Sequence, residues 1–126
     1  MPLRQEGPPL QPALGHTPSW TSGDVLLWMK RAMHTDPRVR GPAEIRPIEW
    51  PNDYLDITDP LWARKRDILL AWARCRAAKE SFQEFIRCRG WGSAATIYRL
   101  RDEAAEQIAA GINAAILRSM PKTNSA

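Results

Sequence analysis

Reactive side chains are scarce in this chain. Its 126 residues hold two histidines and two cysteines. His16 sits in a proline-rich stretch. His34 falls near the end of a helix-patterned segment, with no acidic or nucleophilic partner at a useful spacing, so general acid–base and nucleophilic chemistry lack their usual carriers. Cys75 and Cys88 stand thirteen positions apart with no histidine nearby, which is not a zinc framework; two reduced, buried or half-buried thiols are expected. No Walker loop, GxGxxG or GxSxG pattern occurs. No apolar run approaches the ~20 residues that span a bilayer, and residues 1–18 lack the apolar segment of a signal peptide. The expectation is a non-enzyme of the cytoplasm, without cofactor, metal or membrane contact.

What remains is basic, and unevenly so. The formal net charge is +4. Residues 1–60 carry 6 basic and 8 acidic side chains, residues 61–101 carry 10 and 3, and residues 102–126 carry 2 and 3. The whole excess therefore lies in one 41-residue block, the asymmetry expected of a surface that meets a polyanion.

Proline divides the chain. Five of the eleven prolines fall in residues 1–18, which read as a disordered arm. Thr21 and Asp24 resemble a capping box. Val25, Trp28, Met29, Ala32 and Met33 then form one apolar helical stripe that Asp36-Pro37 ends. Residues 36–60 contain Pro37, Pro42, Pro47, Pro51 and Pro60. That density argues against a regular helix, yet Ile45, Ile48, Trp50, Tyr54, Leu55 and Ile57 are apolar. An ordered, extended segment wrapped on a helical core is expected. Asp53, Asp56 and Asp59 suit the capping of turns better than a cation site. Asp59-Pro60 reads as the start of a helix running to about Ala78.

The informative pattern spans Ser81 to Arg101. Ser81 and Glu84 form a second capping box, and Phe82, Phe85 and Ile86 give a short helix, to about Arg89, its apolar face. Gly90-Trp91-Gly92 supplies a turn, with Gly90 suited to a left-handed cap. Ser93 then caps a longer helix. On that helix Leu100, Ala104, Ile108 and Ile112 stay within about 60° of Ile97 at ~100° per residue, leaving Ala95, Arg99, Asp102 and Glu106 opposite. The pattern predicts an all-α fold: a tri-helical helix-turn-helix core (residues 61–118) with an added N-terminal helix and the extended Pro-rich segment (residues 19–60) packed on it. The termini, 1–18 and 119–126, are expected to be disordered.

A helix enters the major groove only where small residues at its leading end permit close approach. Ser93, Ala95, Thr96 and Arg99 are accordingly the candidates for reading bases. Lys79, Arg87, Arg89, Tyr98 and Arg101 are the candidates for phosphate contact, and Arg64, Lys65 and Arg66 form a candidate secondary basic patch.

The stretch from Leu70 to Asn113 resembles the helix-turn-helix of sigma-factor region 4. It is similar, more closely, to a family of small phage- and prophage-associated proteins carrying that domain. The resemblance rests on the Trp72-Ala73-Arg74 segment, the Ser81-Phe82-x-Glu84 start, Gly90-Trp91 in the turn, Thr96-x-Tyr98-Arg99, and Ile108-Ala109 to Asn113. Trp20-Thr21 matches more loosely. It implies contact with double-stranded DNA, and the leading expectation is a sequence-specific, nucleoid-associated transcription regulator of phage or mobile-element origin. A small terminase subunit, partnering a large terminase subunit and self-associating through the C-terminal helix, is the alternative. An adaptor on RNA polymerase is the third.

Overall fold

A computed structural model describes residues 19–120. The arm expected over residues 1–18 lies outside them, as does the tail beyond Met120. Helix α1 covers Ser22–His34, α2 Pro42–Tyr54, α3 Trp62–Ala78, α4 Phe82–Ile86 and α5 Ala94–Ser119, with a 3₁₀ turn at Pro37–Val39. No strand occurs among the described residues, and the fold is all-α.

Helix α1 begins where its capping chemistry demands. The Asp24 amide donates to Thr21 Oγ1 (3.2 Å) and the Thr21 amide to Asp24 Oδ2 (2.9 Å). Val25, Met29 and Ala32, one turn apart, form its buried face. Asp36 caps the 3₁₀ turn by accepting from the Arg38 amide (2.9 Å).

The segment expected to be extended is instead helix α2. Pro42 opens it at a position where no intrahelical donor is needed, and Glu44 Oε1 accepts from the Gly41 amide at 2.8 Å. Pro47 and Pro51 lie inside the helix, each removing one backbone hydrogen bond. They survive because they are four residues apart. That spacing puts both rings on one face beside Trp50, and all three are buried. Burial of that face offsets a propensity cost that single-sequence reasoning treats as decisive. Ile57, expected to pack, is two-thirds exposed.

Helix α3 starts slightly later than the Asp59-Pro60 signal suggests. Asp59 Oδ1 accepts from the Leu61 amide (2.8 Å), and the helix proper begins at Trp62. It ends as expected at Ala78. Lys79 adopts a left-handed conformation (φ 59°), and the Glu80 amide returns to the Cys75 carbonyl (2.8 Å), closing the helix end.

The packing forms two clusters. Val25, Met29, Trp50, Leu69, Ala73, Ala104, Ile108, Ile112 and Ile116 close a bundle of α1, α2, α3 and α5. Ile68, Ala71, Cys75, Phe82, Ile86, Ile97 and Leu100 close the tri-helical unit of α3, α4 and α5. The apolar face of the C-terminal helix, offered by the sequence for self-association, is thereby consumed inside the monomer. Asn113 fastens the bundle's far end: its Oδ1 accepts from the Trp20 amide (2.9 Å) and its Nδ2 donates to the Trp20 carbonyl (3.1 Å).

Helix α5 carries a glycine at position 111, against which the Tyr54 ring lies. A methyl group there would meet the ring, with Cγ only 2.9 Å away. Gly111→Ala should therefore destabilise the protein by about 1–3 kcal/mol through overpacking, despite alanine's better helix propensity. In a Tyr54→Ala background the same change should become stabilising by about 1 kcal/mol. Thermal unfolding of the four variants of this cycle checks both signs.

Candidate nucleic-acid interface

The turn between α4 and α5 is built by local hydrogen bonding and two glycines. Ser81 Oγ accepts from the Glu84 amide (3.1 Å), starting α4. The capping box is only half formed, because the Glu84 carboxylate pairs with Arg87 at 2.8 Å instead of returning to Ser81. Helix α4 stops at Ile86, three residues short of the expected Arg89, leaving residues 87–93 to lead into α5 at Ala94. Gly90 (φ 67°) takes the expected left-handed conformation, and Gly92 (φ 116°) a second one that only glycine adopts freely. Ser93 caps α5, its Oγ accepting from the Thr96 amide at 3.1 Å and donating to Thr96 Oγ1 at 3.0 Å.

The candidate base-reading residues are presented unequally. Ser93, Ala95 and Arg99 are exposed, whereas Thr96 is half-buried with its hydroxyl bonded to Ser93. Arg99 reaches outward but pairs with Glu103 at 2.8 Å. Among the candidate phosphate contacts, Lys79, Arg87 and Arg89 are exposed. Tyr98 is half-buried, its ring edge-on to Phe82 at 5.7 Å. The Arg101 side chain is only 19% exposed. It lies over Trp72 (5.2 Å) and Tyr98 (5.0 Å) and pairs with Asp102 at 2.7 Å. Its charge and one side of its guanidinium are engaged by protein, so a phosphate there would compete with Asp102.

The secondary basic patch of Arg64, Lys65 and Arg66 does not exist as a patch. Successive helical residues point about 100° apart and share no face. Lys65 is buried and bridges Asp59 (2.8 Å) and Glu103 (3.5 Å). Arg66 covers Trp62 (4.9 Å) and pairs with Asp67 at 3.0 Å. Arg64 alone turns toward the turn, donating to the Trp91 carbonyl at 3.4 Å.

The cations that do gather were partly missed. Arg64, Arg74 and Arg89 converge on Phe85 and Trp91, with the Arg89 guanidinium 3.9 Å from the Phe85 centroid and Arg74 5.6 Å from it. Separately, Arg76 and Lys79 line a cleft of about 740 Å³ together with Lys30, Arg31 and His34 of α1. A smaller depression of about 370 Å³ adjoins it through shared Arg76, Glu80 and Ser81 and reaches Gln83, Tyr98 and Arg101. Lys30 and Arg31 escaped notice because they lie in a half of the sequence whose net charge is negative. Beyond Arg99 the outward side of α5 changes sign, carrying Asp102, Glu103 and Glu106.

Cys75 is buried, which pushes its thiol up from the usual value, while Cys88 is exposed, not half-buried as expected. Asp56 caps the turn at Thr58 through its amide (2.9 Å) and hydroxyl (2.6 Å). Among the described residues no three His, Cys, Asp or Glu side chains come together as a metal site requires, and no helix is long and apolar enough to cross a membrane. No family model, curated protein or solved structure matches the chain.

Asp59 is held below the usual carboxylate range, first by the Lys65 hydrogen bond and then by the Leu61 amide, and Lys65 is raised in return. A depressed carboxylate contributes stability above its unfolded value of about 3.9 and loses it as pH falls through the folded value. The raised lysine contributes below about 10.4 and loses it as pH rises through its own folded value. Lys65→Met should therefore melt a few degrees below wild type at pH 7, and the gap should shrink toward pH 3. Melting curves whose gap is the same at both pH values would contradict this.

Proposed function

We propose that this chain is a sequence-specific double-stranded DNA-binding helix-turn-helix protein. Its role on this reading is that of a transcription regulator of phage or mobile-element type, like the sigma region 4-like family it resembles. One observation supports the proposal: the leading end of α5 is exposed and small (Ser93, Ala94, Ala95, then Arg99), and the guanidinium groups of Arg64 and Arg89 gather on Trp91 just before it. Small residues permit close approach to base edges, and cations beside them meet the phosphates that border a groove.

The roles divide accordingly. Arg99 is the one long donor at the leading end, suited to guanine O6 and N7; Glu103 holds it in place until a base replaces the carboxylate. The Arg89 guanidinium sits 3.9 Å from the Phe85 ring centroid, which orients it without neutralising it. That arrangement suits a phosphate contact, as do Arg64 and Arg74 beside it. The terminase reading shares the helix-turn-helix, but its self-association through α5 would have to use surface other than the buried apolar face.

Selection from a random duplex library, followed by binding of the selected and a scrambled duplex at several salt concentrations, tests the proposal. Arg99→Ala should cost about 1–3 kcal/mol of discrimination between the two duplexes. Arg89→Ala should weaken both alike and reduce the salt slope by about 1. A library that yields no enriched sequence, together with retention insensitive to salt, would refute DNA recognition.

A further inference from the structure

A cleft lies between the C-terminal ends of α1 and α3; it reaches Ser81 at the start of α4 and holds no residue of α5. Lys30 and Arg31 come from α1, Arg76 and Lys79 from the end of α3, and His34 adds a further donor at the rim. None of these four cations is in an ion pair among the described residues. Glu80 is the one acid lining the cleft. Charges of one sign are thus held together where two helix C-termini favour them, and a polyanion would complement the cluster.

A second observation concerns Lys79. It occupies the left-handed position after α3, with φ 59°. Glycine is the residue that position favours, and a side chain there costs roughly 1 kcal/mol. That conformation closes α3 and carries the Lys79 side chain to the cleft.

Resting on the DNA-binding reading above, we propose that this cleft is a second backbone contact: it seats phosphates of the duplex flanking the segment read by α5. The cleft shares Arg76, Glu80 and Ser81 with the depression beside the α4 start, so a strand laid across both would run from Gln83 toward α1. Its chemistry fits a backbone better than a small effector. A small-molecule pocket needs an apolar or aromatic lining with a few convergent polar groups. This cleft is lined by no Phe, Tyr or Trp and carries four long cations, Lys30, Arg31, Arg76 and Lys79.

Hydroxyl-radical footprinting on the selected duplex, paired with salt titrations, tests this. Wild type should protect a core segment and an additional stretch of backbone on one flank. Lys30→Ala/Arg31→Ala should lose the flanking protection, keep the core, and lower the salt slope by about 2, at roughly 0.9 per phosphate. Both side chains are exposed, and circular dichroism melting of this variant should be near that of wild type. Lys79→Gly should raise the melting temperature while lowering the salt slope by about 1.

An unchanged footprint and slope in the double variant would overturn the second contact while leaving recognition by α5 intact. The same holds if inorganic pyrophosphate binds saturably to wild type and not to the double variant, with the footprint unaltered. A wild type that protects no core segment removes both readings together.

Discussion

Helix α3 has no solvent-facing side broad enough to define it. Ile68, Ala71 and Cys75 turn toward α4 and the start of α5, while Leu69 and Ala73 turn toward α1, α2 and the rest of α5. Two cores therefore meet along one helix, and α5 spans both. The leading end of α5 cannot rotate against the bundle without opening a void along α3, and interiors packed at crystal-like density resist that. The arrangement converts a five-residue helix and a glycine turn, too short to be stable alone, into a fixed element.

Aromatic residues set the electrostatics as much as acids do. Guanidinium groups of Arg64, Arg74 and Arg89 rest on Phe85 and Trp91, which orients them and leaves their charge available. Carboxylates instead neutralise Lys65, Arg66 and Arg101. Through Lys65, Asp59 is linked to Glu103, and Glu103 to Arg99. The loop before α3 thus bears on the side chain at the tip of α5.

Much of the fold was legible because it follows local rules. The Thr21 and Ser93 caps, the left-handed Gly90, the end of α3 at Ala78 and the α5 stripe all depend on residues within a few positions of one another. What escaped depends on distant partners. Pro47 and Pro51 are tolerated because Trp50 and the bundle bury their face, which no local rule encodes. Lys65 was grouped with its neighbours by adjacency, while its real partners lie 6 and 38 positions along the chain. The α1 side of the basic cleft was hidden because a charge sum over a long segment averages Lys30 and Arg31 with distant carboxylates.

The sign change along α5 limits how a duplex can lie against it. A helix of 26 residues is about 39 Å long at ~1.5 Å per residue. Past Arg99, however, Asp102, Glu103 and Glu106 would face phosphate along any side-by-side arrangement. On the proposed reading the helix must dip in tip-first, with its axis steeply inclined to the groove. One monomer then inspects a window of only a few base pairs, so a longer recognition sequence calls for information from shape or from a neighbouring molecule.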